Sequence, residues 1–174
     1  MYLHHISYGG DILQILKDGY LRPSSKTGVT GLYSNPSKWI YTRISTDIDK
    51  QDEDYTFLID SDVLLHSKFI LHTGWKTEDN IRPRDIIDGT TLTKAKLNKI
   101  LNLFKEQCIL LYNSKKIEMN IRKLTTGTSP IHISSHLSNE ILIENDIDLH
   151  TYLVKCRGDK TVKKYLKENY GITD

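Results

Sequence analysis

Apolar and polar positions along this chain switch between two periods, and the switches mark its elements. Leu3-His4-His5-Ile6-Ser7 starts apolar and ends polar, as a strand does where it leaves a core, and the pair Gly9-Gly10 breaks it. Ile12, Leu13, Ile15 and Leu16 then form an apolar stripe at helical spacing. Asp11 is placed to cap this helix, Gln14 to return a bond to the cap amide, and Gly19 to supply a left-handed exit. Residues 55–59 and 68–72, rich in β-branched and aromatic side chains, read as strands. Over 93–105 the period lengthens: Leu97, Ile100, Leu101 and Phe104 share one helical face, with Thr93 as cap and Lys94, Lys96 and Lys99 toward solvent. Residues 109–112 fit either a continuation of that helix or a strand. Residues 130–133, 140–144 and 149–154 read as further strands, and 160–169 as a helix built on Val162, Tyr165 and Leu166. Residues 37–41 begin a short helix or strand.

Strands toward both ends with helices between them make an α+β domain with antiparallel pairing at its centre. The 174 residues fit one domain spanning 1–174, long enough to bury a real core. A hydrophobic share of 38% and a charged share of 26% describe a globular chain with a well-charged surface. The net charge of +2 and a pI near 8.4 are too mild to mark a nucleic-acid binder, because acids and bases are interleaved almost throughout. Residues 22–35 form a loop in which Gly28 and Gly31 let backbone approach a ligand, and the acidic run 47–54 reads as a solvated surface loop. Cys108 and Cys156 cannot build a disulfide framework, so packing in a reducing compartment is expected of them. No leader peptide is legible and no apolar run is long enough for a bilayer, so the expected protein is soluble and intracellular with no membrane partner.

Seven histidines raise the question of a metal. His4 and His5 are adjacent, so in a strand they point to opposite faces and cannot grip one ion together. His132 and His136 are four apart but lie among serines and Pro130, where no helix would align them. The spacing argues against a metal site. His5 and Ser7, two apart, share a face in a strand. His5 fits equally a core histidine bonded to a backbone carbonyl and a group that faces a ligand.

The Leu3-His4-His5-Ile6-Ser7 stretch, with its helix and the following Leu21-Arg22-Pro23, resembles the first motif of the H-Y-E class of ADP-ribosyltransferases. That class includes poly(ADP-ribose) polymerases and diphtheria-like toxins, and its motif reads Leu-x-His-Gly-Ser before an Ile-Leu-x-x-Gly-Leu helix. Gly31-Leu32-Tyr33-Ser34 with Ser37-Lys38-Trp39-Ile40-Tyr41 is similar to the second motif, and Asn139-Glu140-Ile141-Leu142-Ile143 to the third, Asn-Glu-Tyr-x-Val. The motifs occur in the family's order and cover the first forty residues and 135–156. Ile6 stands where the family has glycine, Ser34 where it has an aromatic residue, and the tyrosines are closer together than in the family.

The resemblance implies a split antiparallel sheet with flanking helices around an NAD cleft. It assigns His5 to the adenosine ribose, Ser7 to the nicotinamide carboxamide and Gly31 to close backbone approach. Tyr41, or Tyr33 in its place, would stack on the nicotinamide ring, and Glu140 would carry the chemistry beside the nicotinamide ribose. It further implies NAD as co-substrate, no metal, and a monomer that transfers one ADP-ribose to a macromolecular acceptor, protein ahead of nucleic acid. NAD hydrolysis, 2′-phosphate removal from RNA, and non-catalytic binding of ADP-ribose or protein are rival uses of the same cleft. The plain alternative is core packing for the tyrosines and a surface charge at Glu140.

Overall fold

In the computed structural model, which describes residues 1–7, 11–28, 37–45, 55–73, 81–126 and 139–173, the expected periods become a chain of short elements. They run β1 (Tyr2–His5), α1 (Ile12–Asp18), β2 (Tyr20–Leu21), α2 (Ser24–Thr27), β3 (Ile40–Ile44), β4 (Phe57–Asp60), β5 (Lys68–His72), β6 (Ile87–Asp88) and α3 (Lys94–Thr126). Then follow β7 (Glu140–Ile143), β8 (Ile147–Asp148), α4 (Leu149–Tyr152), β9 (Leu153–Cys156) and α5 (Lys160–Tyr170). Among the described residues, seven strands pair antiparallel into one sheet ordered β6-β5-β7-β3-β1-β4-β9, and β2 pairs β8 separately. The α+β class is therefore correct.

Strand alternation sorts the sheet's side chains onto two faces. Leu3, Ile44, Phe57, Ile59, Ile141 and Ile143 belong to the main core, closed by Leu16 of α1, Leu97 and Leu101 of α3, and Val162 and Leu166 of α5. The opposite face carries a smaller cluster of Trp39, Ile70 and Leu142, with Tyr41, Ile81 and Ile86 packed against it. The β1–β3 ladder is short. It pairs Leu3 with Ile44 and His4 with Arg43, whereas β1 pairs β4 from Tyr2 through His5.

Local signals held in some places and gave way in others. Asp11 accepts from the amides of Leu13 and Gln14, and Gly19 leaves α1 at φ 73°, donating to Ile15 and Leu16 carbonyls. Gln14, however, does not return a bond to the cap: its amide donates to Asp18 Oδ1, one turn ahead, at 3.0 Å. Of the α1 stripe only Leu16 is fully buried, with Ile12, Leu13 and Ile15 packed at its margin. The helix begun near Thr93 continues through 109–112 and buries Leu97, Leu101, Phe104 and Cys108, leaving Ile100 half-buried.

The strand expected over 149–154 is split into the turn α4 and the strand β9. Asp148 stops extension there by accepting from the His150 amide and the Thr151 hydroxyl, which turns the backbone before Leu153. Of the loop expected over 22–35, Ser24–Thr27 instead form the single turn α2, closed by Gly28 at φ 70°, while residues 29–35, the acidic run 47–54 and the strand and turn expected within 130–138 lie outside the described residues. No helix among the described residues is long and apolar enough to cross a membrane.

Candidate functional site

Cross-strand register assembles one polar row on the sheet face opposite the main core. His72 pairs Glu140, Glu140 pairs Arg43, Arg43 pairs His4, His4 pairs Leu58 and Leu58 pairs Lys155. Paired residues share a face, so these side chains line up across β5, β7, β3, β1, β4 and β9.

Glu140 occupies the head of β7, with strands on both sides. Asn139 fixes its approach: the Asn139 carbonyl accepts from the Ile44 amide at 2.9 Å, and its side-chain amide donates back to the Ile44 carbonyl. On the other side His72 Nδ1 lies 3.2 Å from Glu140 Oε2. A carboxylate only accepts, so Nδ1–H is the donor. The His72 side chain is 4% exposed and that of Glu140 15%, which places a carboxylate close to solvent but gripped by neighbours. Glu140 thus stands on an inner strand of the sheet rather than at its edge.

Tyr41 lies two positions before Arg43 on β3 and pairs Leu142, so it shares the face of Glu140. Its ring also packs against Trp39, Ile70 and Leu142. His5 is placed differently. It pairs Phe57, with ring centroids 6.1 Å apart, and so begins on the core side of the sheet, opposite to His4. At that point β1 and β3 have parted, and the His5 ring reaches the gap, Nδ1 2.8 Å from the Tyr41 carbonyl. That carbonyl needs a donor, which puts the proton on Nδ1 and leaves Nε2 as an acceptor in the neutral ring. Burial holds the His5 pKa below its ordinary 6.5, partly offset by the Tyr41 bond. His5 thus makes the backbone bond expected of a core histidine while standing at the seam of the sheet.

Ser7 follows the end of β1, its amide donating to Thr56 Oγ1 at 3.0 Å. Gly31 and Tyr33 lie outside the described residues. Register therefore joins Glu140, Tyr41 and Arg43 on one face, and His5 meets them through the Tyr41 peptide rather than side by side. His72 was missed in the sequence. Its only signal there is a polar residue ending the apolar strand Lys68–His72, and a pairing partner 68 residues away leaves no local trace.

The profile of DUF5846, a family of unknown function, matches residues 1–107, and the chain belongs to that family. The match holds His5, Tyr41 and His72 and ends inside α3, before Glu140. The chain is also similar to Uncharacterized protein L54 of Acanthamoeba polyphaga mimivirus. The two are 23% identical over 163 residues, covering 91% of this chain and 79% of the viral protein. No solved structure matches the chain.

Proposed function

We propose that this member of DUF5846 is an NAD-dependent ADP-ribosyltransferase that moves ADP-ribose to a macromolecular acceptor and releases nicotinamide. The observation that carries the reading is the Glu140 carboxylate, fixed between Asn139 and His72 at the head of a central strand. In the substrate, the bond between the ribose carbon and the nicotinamide nitrogen breaks, its electron pair leaves with nicotinamide, and positive charge grows on the sugar. The acceptor nucleophile then bonds to that carbon and loses its proton.

Glu140 stabilises the growing positive charge more than the ground state, which is what accelerates a step. It also orients the ribose hydroxyl it accepts from. Rigidity matters because a shift of about 1 Å can cost about a hundredfold in rate, and His72 and Asn139 supply that rigidity.

The remaining residues fit the substrate in kind. Tyr41 offers an aromatic face on the Glu140 side, Arg43 a cation in the same row for a diphosphate, and His5 Nε2 an acceptor for a ribose hydroxyl.

The test is nicotinamide release from NAD by the purified protein and by Glu140→Gln. Turnover by the wild type, with NAD binding kept but turnover lost in the variant, is the expected result. Binding without turnover in the wild type makes the chain an NAD-binding module, and absence of both overturns the reading.

A further inference from the structure

The long helix α3 turns one face to the core and another to solvent. Leu97, Leu101, Phe104 and Cys108 enter the main core. Leu103 stands two residues past Leu101, and Leu110 two past Cys108, about 200° around the helix, so both point away from that core. Ile117 follows Leu110 by the same interval of seven that separates Leu110 from Leu103. The row is bare: Leu110 is 69% exposed, Ile117 60% and Leu103 55%, more than any other large apolar residue among the described ones. Past Cys108, its last residue in the main core, α3 runs on to Thr126, and burial of an apolar face is what chiefly stabilises such a helix.

A row spaced equally on both sides of a central residue complements itself. When a second α3 lies antiparallel with Leu110 on the two-fold axis, Leu103 of each copy comes level with Ile117 of the other, a seam of about 21 Å at roughly 1.5 Å per residue. The flanking residues, three and four positions from Leu110, are Glu106, Gln107, Asn113 and Ser114, all exposed. On one flank the Glu106 carboxylate then comes beside the Asn113 amide of the second copy, and on the other Gln107 comes beside Ser114, each within one residue's rise. A carboxylate thus meets a donor, and among these residues no like charges face each other. A parallel pair would set Lys96 and Lys99 of the two copies side by side. An anionic membrane fits the row less well, because the charge flanking its centre is the acid Glu106.

We propose that two copies of this chain pair antiparallel through Leu103, Leu110 and Ile117 of α3. The pair stands in place of the monomer that the motif resemblance implies, and it does not depend on NAD chemistry. A seam this short belongs to the small-interface class, under about 1,200 Å², so pairing is expected at micromolar protein. Sedimentation velocity from roughly 1 to 200 µM should carry the wild type from 20.1 kDa toward twice that mass. Leu110→Glu, which sets two carboxylates on the axis, should keep a native circular dichroism spectrum, because Leu110 is exposed, and should pair at least about tenfold more weakly. The milder Leu110→Ser should weaken pairing in the same direction. Orientation is read by oxidative cross-linking. Leu103→Cys mixed with Ile117→Cys should form a disulfide-linked dimer and neither should form one alone, while Cys108 and Cys156 are buried and do not compete. The proposal is overturned if Leu110→Glu pairs as tightly as the wild type, or if Leu103→Cys alone cross-links as readily as the mixture. A wild type that stays at 20.1 kDa also overturns it, and binding of that monomer to phosphatidylserine vesicles would assign the row to a membrane instead.

Discussion

Two substitutions across one contact separate a chemical role for Glu140 from a structural one. Glu140→Gln keeps the shape and an acceptor oxygen for His72 Nδ1–H, so the 3.2 Å contact survives as a neutral hydrogen bond. The change replaces a charge-assisted bond worth about 1.5–3 kcal/mol by a neutral one of about 0.5–1.5, a loss near 1 kcal/mol. His72→Ala does more: it removes the donor and leaves space around a side chain that is 4% exposed. Lost bond and cavity together come to about 3 kcal/mol. For a chain of this length that is a melting-temperature drop of roughly 6–12 °C, against about 2–4 °C for Glu140→Gln. Turnover should rank the other way. Loss of the carboxylate should lower kcat for nicotinamide release by about 10²–10³, the effect of deleting one preorganised electrostatic group, with NAD affinity nearly kept. Thermal melts and nicotinamide assays on the same preparations give both orders. If Glu140→Gln melts as low as His72→Ala while turnover is untouched, Glu140 is only the partner of a buried histidine and the mechanism fails.

Three further outcomes follow from the structure. Because burial keeps the folded His5 pKa below 6.5, the unfolded chain takes up the proton first. The His5 contribution to stability is thus full above pH 6.5 and is lost as pH falls toward the folded value, with a slope of at most about 1.4 kcal/mol per pH unit. Urea denaturation between pH 7 and 5.5 should show that slope in the wild type and lose it in His5→Gln; equal slopes refute the assignment. At Gly89 an added Cβ would lie 1.6 Å from the Leu64 carbonyl oxygen and 2.8 Å from that of Ser67. Gly89→Ala should therefore reach or exceed the top of the roughly 1–3 kcal/mol range for overpacking, and a native melting temperature would contradict the close approach. Burial pushes the Cys108 thiol up to about 11 and Cys156 up to about 12. Both should resist iodoacetamide at pH 8 in the folded protein and react in urea; fast alkylation of either in the native state would refute their burial.

The helices were the most legible elements because their signals are local. Asp11 and Gly19 bound α1 through bonds spanning a few residues, and Val162 with Leu166 buries one face of α5. Asp148 shows where such reading failed: period-two hydrophobicity over 149–154 predicted one strand, and a single capping carboxylate cut it in two. The same limit applied to the site. Glu140 stood out through the motif around it, whereas His72 carried no signal until β5 and β7 were paired.

By itself, then, the chain's order of apolar and polar residues determined the α+β class, most strands and helices, and the separation of His4 from His5 onto opposite faces. Those depend on periods and caps within a few residues. Tertiary pairing alone decided that His72 grips Glu140, that Arg43 joins them, that His5 reaches the seam through the Tyr41 carbonyl, and that Lys155 heads a row ending at the carboxylate. Register between strands far apart in sequence is set by how whole faces bury against their helices, and a one-residue slip would turn every one of these side chains over.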